Sequence, residues 1–161
     1  MKFIVDHNVG KLAKRLRLMG YDTVFFHGPD DADMIACALS EDRVLLTRDT
    51  RVMKRGVITG GRITALLING DKVEEQLTQI VRAFDIHTAH GAFSICFECN
   101  HNLREIGKEE VRDRVPPYVF QTQKQYMECP KCHRIYWRGT HWQKMNDELN
   151  ILAKRGKTDD K

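Results

Sequence analysis

Four of the five cysteines fall into two Cys-x-x-Cys turns, Cys96-Phe-Glu-Cys99 and Cys129-Pro-Lys-Cys132, while Cys37 stands alone. Each turn sets two thiolates on one side of an ion, and two turns complete a tetrahedral shell of soft ligands suited to structural Zn2+. The 29 residues between the turns exceed the commonest spacing of about 15 to 20, which fits a zinc ribbon carrying an insertion. Lys131 and Arg134 favour the thiolate forms by their charge. His101 and His133 are near enough in sequence to replace a cysteine, but four thiolates need no substitute. A shell closed by four protein ligands leaves no place for a reacting water, so this site is expected to hold a fold together.

A second constellation is acidic. Asp6 ends the apolar run Phe3-Ile4-Val5, Asp49 follows Val44-Leu45-Leu46, and Asp30, Asp31 and Asp33 follow the run Thr23 to Phe26. If these runs are parallel strands, their carboxylates gather outside one edge of the sheet, where such folds place their ligands. Converging carboxylates repel one another and favour a hard cation, Mg2+ or Mn2+. Such an ion can generate hydroxide near neutral pH and stabilise in-line attack on a phosphate. Plainer roles compete: Asp30 as a helix N-cap, Asp31 or Asp33 as partners of the helix dipole, Asp6 and Asp49 as turn residues. Asp31 is favoured over Asp33 as the third carboxylate, and Asp71 is a distant fourth candidate.

Cations surround these acids. Lys11, Lys14, Arg15 and Arg17 crowd the first helical stretch, and Arg48 and Arg51 flank Asp49. Arg138 and His141 sit between Trp137 and Trp142, a mixture that suits phosphate contact and base stacking. The competing assignment makes the cations a solvated helix face and the tryptophans core.

The elements that must position these groups change character along the chain. The first ninety residues alternate short apolar strands (Phe3 to Val5, Thr23 to Phe26, Val44 to Leu46, Ala65 to Ile68) with helical patterns. Leu12, Leu16 and Met19 share one face of a helix from Val9 to Met19; Met34, Ile35, Ala38 and Leu39 mark a second, and Val73, Leu77, Ile80 and Phe84 a third. Strands apolar throughout, joined by helices, predict an α/β fold with a parallel sheet covered on both faces. Near Ala89-His90-Gly91 the periodicity gives way to the cysteine turns. The stretch Leu103 to Tyr118 reads as an inserted loop with a short helix, Ile135 to Trp137 as a strand, and Met145, Leu149 and Leu152 as the apolar face of a last helix. The expected organisation is 1–90 as the α/β domain, 91–155 as a zinc ribbon with its terminal helix, and 156–161 as a flexible tail. Cys37, among alanines, reads as a small buried apolar residue.

Composition narrows the classes. The chain has 161 residues, 42% hydrophobic and 30% charged, with a net charge of +4. Residues 1–90 carry 13 Lys and Arg against 12 Asp and Glu, so the surplus lies mainly in the second part. That balance permits a polyanionic partner. No apolar run spans a bilayer, and the start turns polar too soon for a signal peptide. Unpaired, metal-spaced cysteines suit a reducing compartment, so a cytoplasmic location is expected.

The stretches KFIVDHNVGKLAKRLRLMGYDT and DDADMIACALSEDRVLLTRD, the two cysteine pairs, and YWRGTHWQKM resemble, in this order, the Mut-seven C-terminal ribonuclease domain family. The resemblance covers Lys2 to about Met145. It implies a PIN-like sheet followed by a zinc ribbon, metal-dependent ribonuclease activity, and RNA as substrate, with tRNA or the ribosome among the RNAs to consider. By motif it assigns acidic positions of the site to Asp6, Asp49 and one acid of DDAD. One departure is His7, where the family pattern has arginine after the first aspartate. The expectation is an endoribonuclease; the alternative is a non-catalytic RNA- or ribosome-binding protein on the same fold. The sequence assigns no oligomeric state.

Overall fold

A computed structural model describes residues 1–86 and 93–158; the side chains of His141, Ala153 and residues 156–158 lie outside the described part. The stretch around Ala89 to Gly91, where the sequence changes character, also lies outside it.

Strand β1 (Phe3–Val5) is entirely buried, as a strand covered on both faces must be. It leads through a 3-10 turn, His7–Val9, into helix α1 (Lys11–Leu18), so the helix starts two residues later than the periodicity predicts. Asp6 is the cause: its carboxylate accepts the His7 amide and tightens the turn. β2 (Thr23–Phe25), α2 (Asp31–Ser40) and β3 (Val44–Thr47) follow, with Asp30 capping α2 through the Ala32 amide. Two four-residue helices that the sequence reading did not mark, α3 (Thr50–Met53) and α4 (Gly56–Thr59), precede β4 (Ala65–Leu67) and α5 (Val73–Phe84).

The four strands form one parallel sheet in the order β2-β1-β3-β4, with Val5 level with Phe25 and Leu46. Successive side chains alternate between faces. Phe3, Val5 and Leu46 therefore join Leu12 and Leu16 of α1 and Leu77 and Ile80 of α5. Ile4 and Leu45 face the other way, toward Met34, Ile35 and Ala38 of α2. Each fully buried aliphatic side chain contributes roughly 1.5–3 kcal/mol.

The second part is more structured than the expected loop. β5 (Arg104–Ile106), β6 (Tyr126–Glu128) and β7 (Ile135–Tyr136) form an antiparallel sheet, with α6 (Pro117–Thr122) between β5 and β6. Val111, Val115, Val119 and Tyr126 give this sheet a core of its own. Arg104 and Arg114 hold the buried Glu128 carboxyl down at about 2. Helix α7 (Thr140–Thr158) then returns to the first part and lays Leu149 into the core formed by α1 and α5. Its backbone stays helical through Gly156, so the expected tail is helical as far as Thr158. One interior glycine costs a helix only about 1 kcal/mol. No helix among the described residues is long and apolar enough to cross a membrane.

Candidate functional site

The strand order reverses between β1 and β3, and the crevice outside their carboxyl ends is where a sheet of this kind takes a ligand. Asp6 leaves β1 there, 3% exposed. Its Oδ2 accepts the Thr47 hydroxyl at 2.7 Å, and its Oδ1 accepts the His7 amide at 2.7 Å with the His7 ring nitrogen at 2.8 Å. Thr47, the last residue of β3, also accepts the Asp49 amide at 3.0 Å. One hydroxyl thus links the Asp6 carboxylate to the main chain at Asp49. Asp49 caps α3 through the Arg51 amide and pairs with the Arg51 guanidinium at 3.1 Å. That guanidinium, with the Arg51 and Val52 amides, holds the Asp49 carboxyl below the usual carboxylate range.

Asp31 opens α2, half-buried. Asp33 is exposed on the first turn of α2. Among the described residues, the four cysteines form the one group of three or more acids, histidines or cysteines whose ligand atoms lie within 4.8 Å of one another. Three carboxylates are therefore not drawn that close. Mg2+ commonly uses only one or two carboxylates and completes its shell with water and substrate phosphate. Asp6 and Asp49, on neighbouring strand ends, fit that looser mode.

A cleft of about 590 Å3 opens beside this rim, lined by His7, Asn8, Lys11, Lys14, Phe25 and Arg48 among others. Gly10 shapes its wall, because a Cβ there would meet the Phe25 ring at 2.5 Å. Arg48 pairs with Asp71 at 3.0 Å and Lys14 with Glu98 at 2.8 Å, both exposed pairs that exchange partners at little cost. Arg15 lies 3.7 Å from Glu74. The expected phosphate-binding groups Lys11, Lys14, Arg15 and Arg48 thus line or border one open surface. Arg51 sits on the acidic rim. Arg138 is farther off, over the Phe93 and Trp142 rings, and the His141 side chain lies outside the described ones.

The cysteine cluster is built from two matching turns. In the first, the Cys96 amide donates to the His101 carbonyl and the Asn100 amide to the Cys96 carbonyl; in the second, Cys129, Arg134 and His133 repeat the pattern. Asn100 and His133 occupy the same left-handed position, at φ 62° and 61°. Both histidines are therefore turn residues outside the ligand cluster. Four sulfurs about 2.3 Å from a zinc ion would stand about 3.8 Å apart. Cys96 and Cys132 stand 3.7 Å apart. Burial raises the Cys96 thiol, but the Tyr136 hydroxyl at 3.0 Å and the Cys99 and Glu98 amides outweigh it and bring it to about 7. Burial and the neighbouring thiolates push Cys99 up to about 12. Four thiols so close cannot all ionise unless a cation joins them, and this cluster could hold zinc.

A model of the Mut7-C RNAse domain matches residues 1–149. The chain belongs to that family. No curated protein and no solved structure matches it. Within this Mut7-C domain, a connection absent from the sequence reading joins the cysteine module to the sheet. Arg17, expected among the phosphate-facing cations, is buried instead. Its Nε donates to the Thr23 carbonyl at 3.0 Å, and its Nη1 to the Phe97 and Glu98 carbonyls of the first cysteine turn at 2.6 and 3.3 Å. Asn100 adds two bonds, accepting the Thr23 amide at 2.8 Å and donating to Asp22 at 2.6 Å. The first turn of this Mut7-C domain thereby covers the free edge of β2. Burial lowers the Arg17 pKa, while the Cys96, Glu98 and Cys99 charges oppose that. The only available signal was Arg17's position beside the apolar stripe of α1; its distant partners left no local trace.

Proposed function

We propose that this protein is a metal-dependent endoribonuclease that hydrolyses RNA phosphodiesters at the carboxyl ends of β1 and β3. What supports the reading is the Thr47 hydroxyl, which ties the Asp6 carboxylate to the main chain at Asp49, next to a cation-lined cleft. Asp6, Asp49 and one acid of the DDAD segment, Asp31 before Asp33, would hold Mg2+ or Mn2+. When bound, such an ion supplies hydroxide near neutral pH and offsets charge on the attacked phosphate. Lys11, Arg15, Arg48 and Arg51 hold the RNA backbone by charge, which gives affinity without sequence preference. Arg51 also releases Asp49 when a stronger cation takes its place. The cysteine cluster carries one structural Zn2+, and its thiolates suit the cytoplasm.

The test is cleavage of varied RNAs by purified protein with Mn2+. The expected products carry 5′-phosphate and 3′-hydroxyl ends, and Asp6→Asn or Asp49→Asn lowers the rate at least about 100-fold, the loss of roughly 2.7 kcal/mol of transition-state stabilisation. Intact RNA in every condition sinks the proposal. A second reading draws on the compensation of the acids, Asp49 by Arg51 and Asp6 by Thr47 and His7. There the domain binds RNA or the ribosome without cutting. Salt-sensitive binding that survives Asp6→Asn, with no cleavage, would select it.

A further inference from the structure

Between the first cysteine turn and the start of α7 lies an apolar hollow of about 190 Å3, walled by Phe93, Phe97, Tyr136, Trp137, Trp142 and Met145. It holds both tryptophans of the chain. Phe93 meets Trp142 edge-on with ring centres 5.9 Å apart, and Phe97 meets Tyr136 at 5.1 Å. The Arg138 guanidinium lies over both the Phe93 and Trp142 rings, at 5.3 and 5.1 Å.

Two features of this hollow are unfavourable to the protein alone. The Trp142 indole N–H is buried without a hydrogen-bond partner among the described residues. A buried donor left unpaired is destabilising. Phe93 is held at φ 69°, a conformation in which a bulky side chain is strained. Backbone strain of this kind clusters at active sites and ligand clamps.

The hollow also continues the cleft beside the acids. A groove of about 430 Å3 shares Phe97 and Met145 with it. That groove shares Lys11 and Lys14 with the cleft at the strand ends. The cleft, the cationic helix face and the aromatic hollow therefore adjoin one another.

We propose that the hollow is a subsite for one unpaired nucleobase of the RNA whose backbone follows Lys11, Lys14 and Arg15 to the acids. This rests on the reading of the rim as an RNA-processing site, and it makes the substrate single-stranded RNA, a loop or an overhang. Aromatic walls stack on any base. The volume takes one flat ring system: an apolar cavity of about 150 Å3 accommodates benzene. A base locked in a duplex cannot enter without leaving its stack. An apolar side chain of a protein partner would match the walls, but not the cationic track.

Because both tryptophans of the chain wall the hollow, their emission responds when it is filled. The experiment titrates the full chain, without added divalent ions, with end-labelled single-stranded and blunt duplex oligoribonucleotides. Anisotropy of the label reads binding anywhere, and tryptophan emission reads the hollow. The expected result is quenching by the single strand with the same midpoint as the anisotropy change, and little quenching by the duplex. Trp142→Phe, which keeps a ring but shrinks the aromatic wall, weakens single-strand binding about tenfold, as does the surface change Arg138→Gln; circular dichroism checks that both fold. Binding with unchanged emission, or quenching by duplex as strong as by single strand, overturns the subsite and leaves the RNA reading intact. Wild-type affinity in both variants does the same. Failure of every RNA to bind removes the RNA reading itself.

Discussion

Thr47 is the residue on which the acidic crevice turns. Its hydroxyl donates to Asp6 and accepts from the Asp49 amide, so Thr47→Val takes a partner from the buried Asp6 carboxylate and from the Asp49 amide at unchanged side-chain shape. The expected loss is about 1–3 kcal/mol of stability and at least tenfold in RNA cleavage, with Thr47→Ser close to wild type; urea unfolding and a cleavage assay read the two effects. The acids themselves were legible, since an aspartate directly after an apolar run marks a strand end. Thr47 was not, because threonine in such a run reads as ordinary β-branched strand material. Its role arises only from the register that sets Val5 beside Leu46. Asp22 is a second case. Burial would raise its carboxyl, but Arg43 and Asn100 hold it below the usual range. A depressed carboxyl adds stability above its unfolded pKa of about 3.9, and that stability is lost as pH falls through the lower folded value. Asp22→Asn is therefore destabilising at pH 7, and its gap to wild type closes below about pH 4 in denaturant titrations across pH.

At the scale of elements, the junction between α1, β2 and the first cysteine turn decides whether two modules behave as one. Arg17→Leu removes all three bonds to main-chain carbonyls while keeping an apolar stem. Chemical denaturation should show a loss of roughly 2–4 kcal/mol and a cysteine module that surrenders metal to chelator sooner. A single transition with wild-type midpoint would count against the junction. The long helices and all four parallel strands were readable because each repeats its apolar spacing over several residues or is apolar outright. α3, α4, β5 and β6 carry no such signal. Arg104-Glu105-Ile106 in particular reads as charged loop, and becomes a strand because Glu128 on the neighbouring strand draws Arg104 and Arg114 to it. Arg17 misled for the same reason in reverse: a cation on an amphipathic helix looks solvated until a distant turn closes over it.

For the whole molecule, metal analysis should return one zinc ion per chain, and Cys129→Ser or strong chelation should lower the melting temperature by several degrees while abolishing the emission of a native-like tryptophan environment. The family was legible from the order of its motifs, and so was the division into a sheet and a cysteine module. The path of the last helix was not: nothing in Met145, Leu149 and Leu152 names the surface they cover. That path has a consequence for how the protein is made. Leu149 completes a core whose other members lie in the first ninety residues. A nascent chain that has delivered only those residues lacks one wall of its interior, so full folding waits until α7 has been made. A fragment of residues 1–90 should accordingly unfold without cooperativity, and a peptide spanning residues 139–158, added separately, should restore a sharp transition.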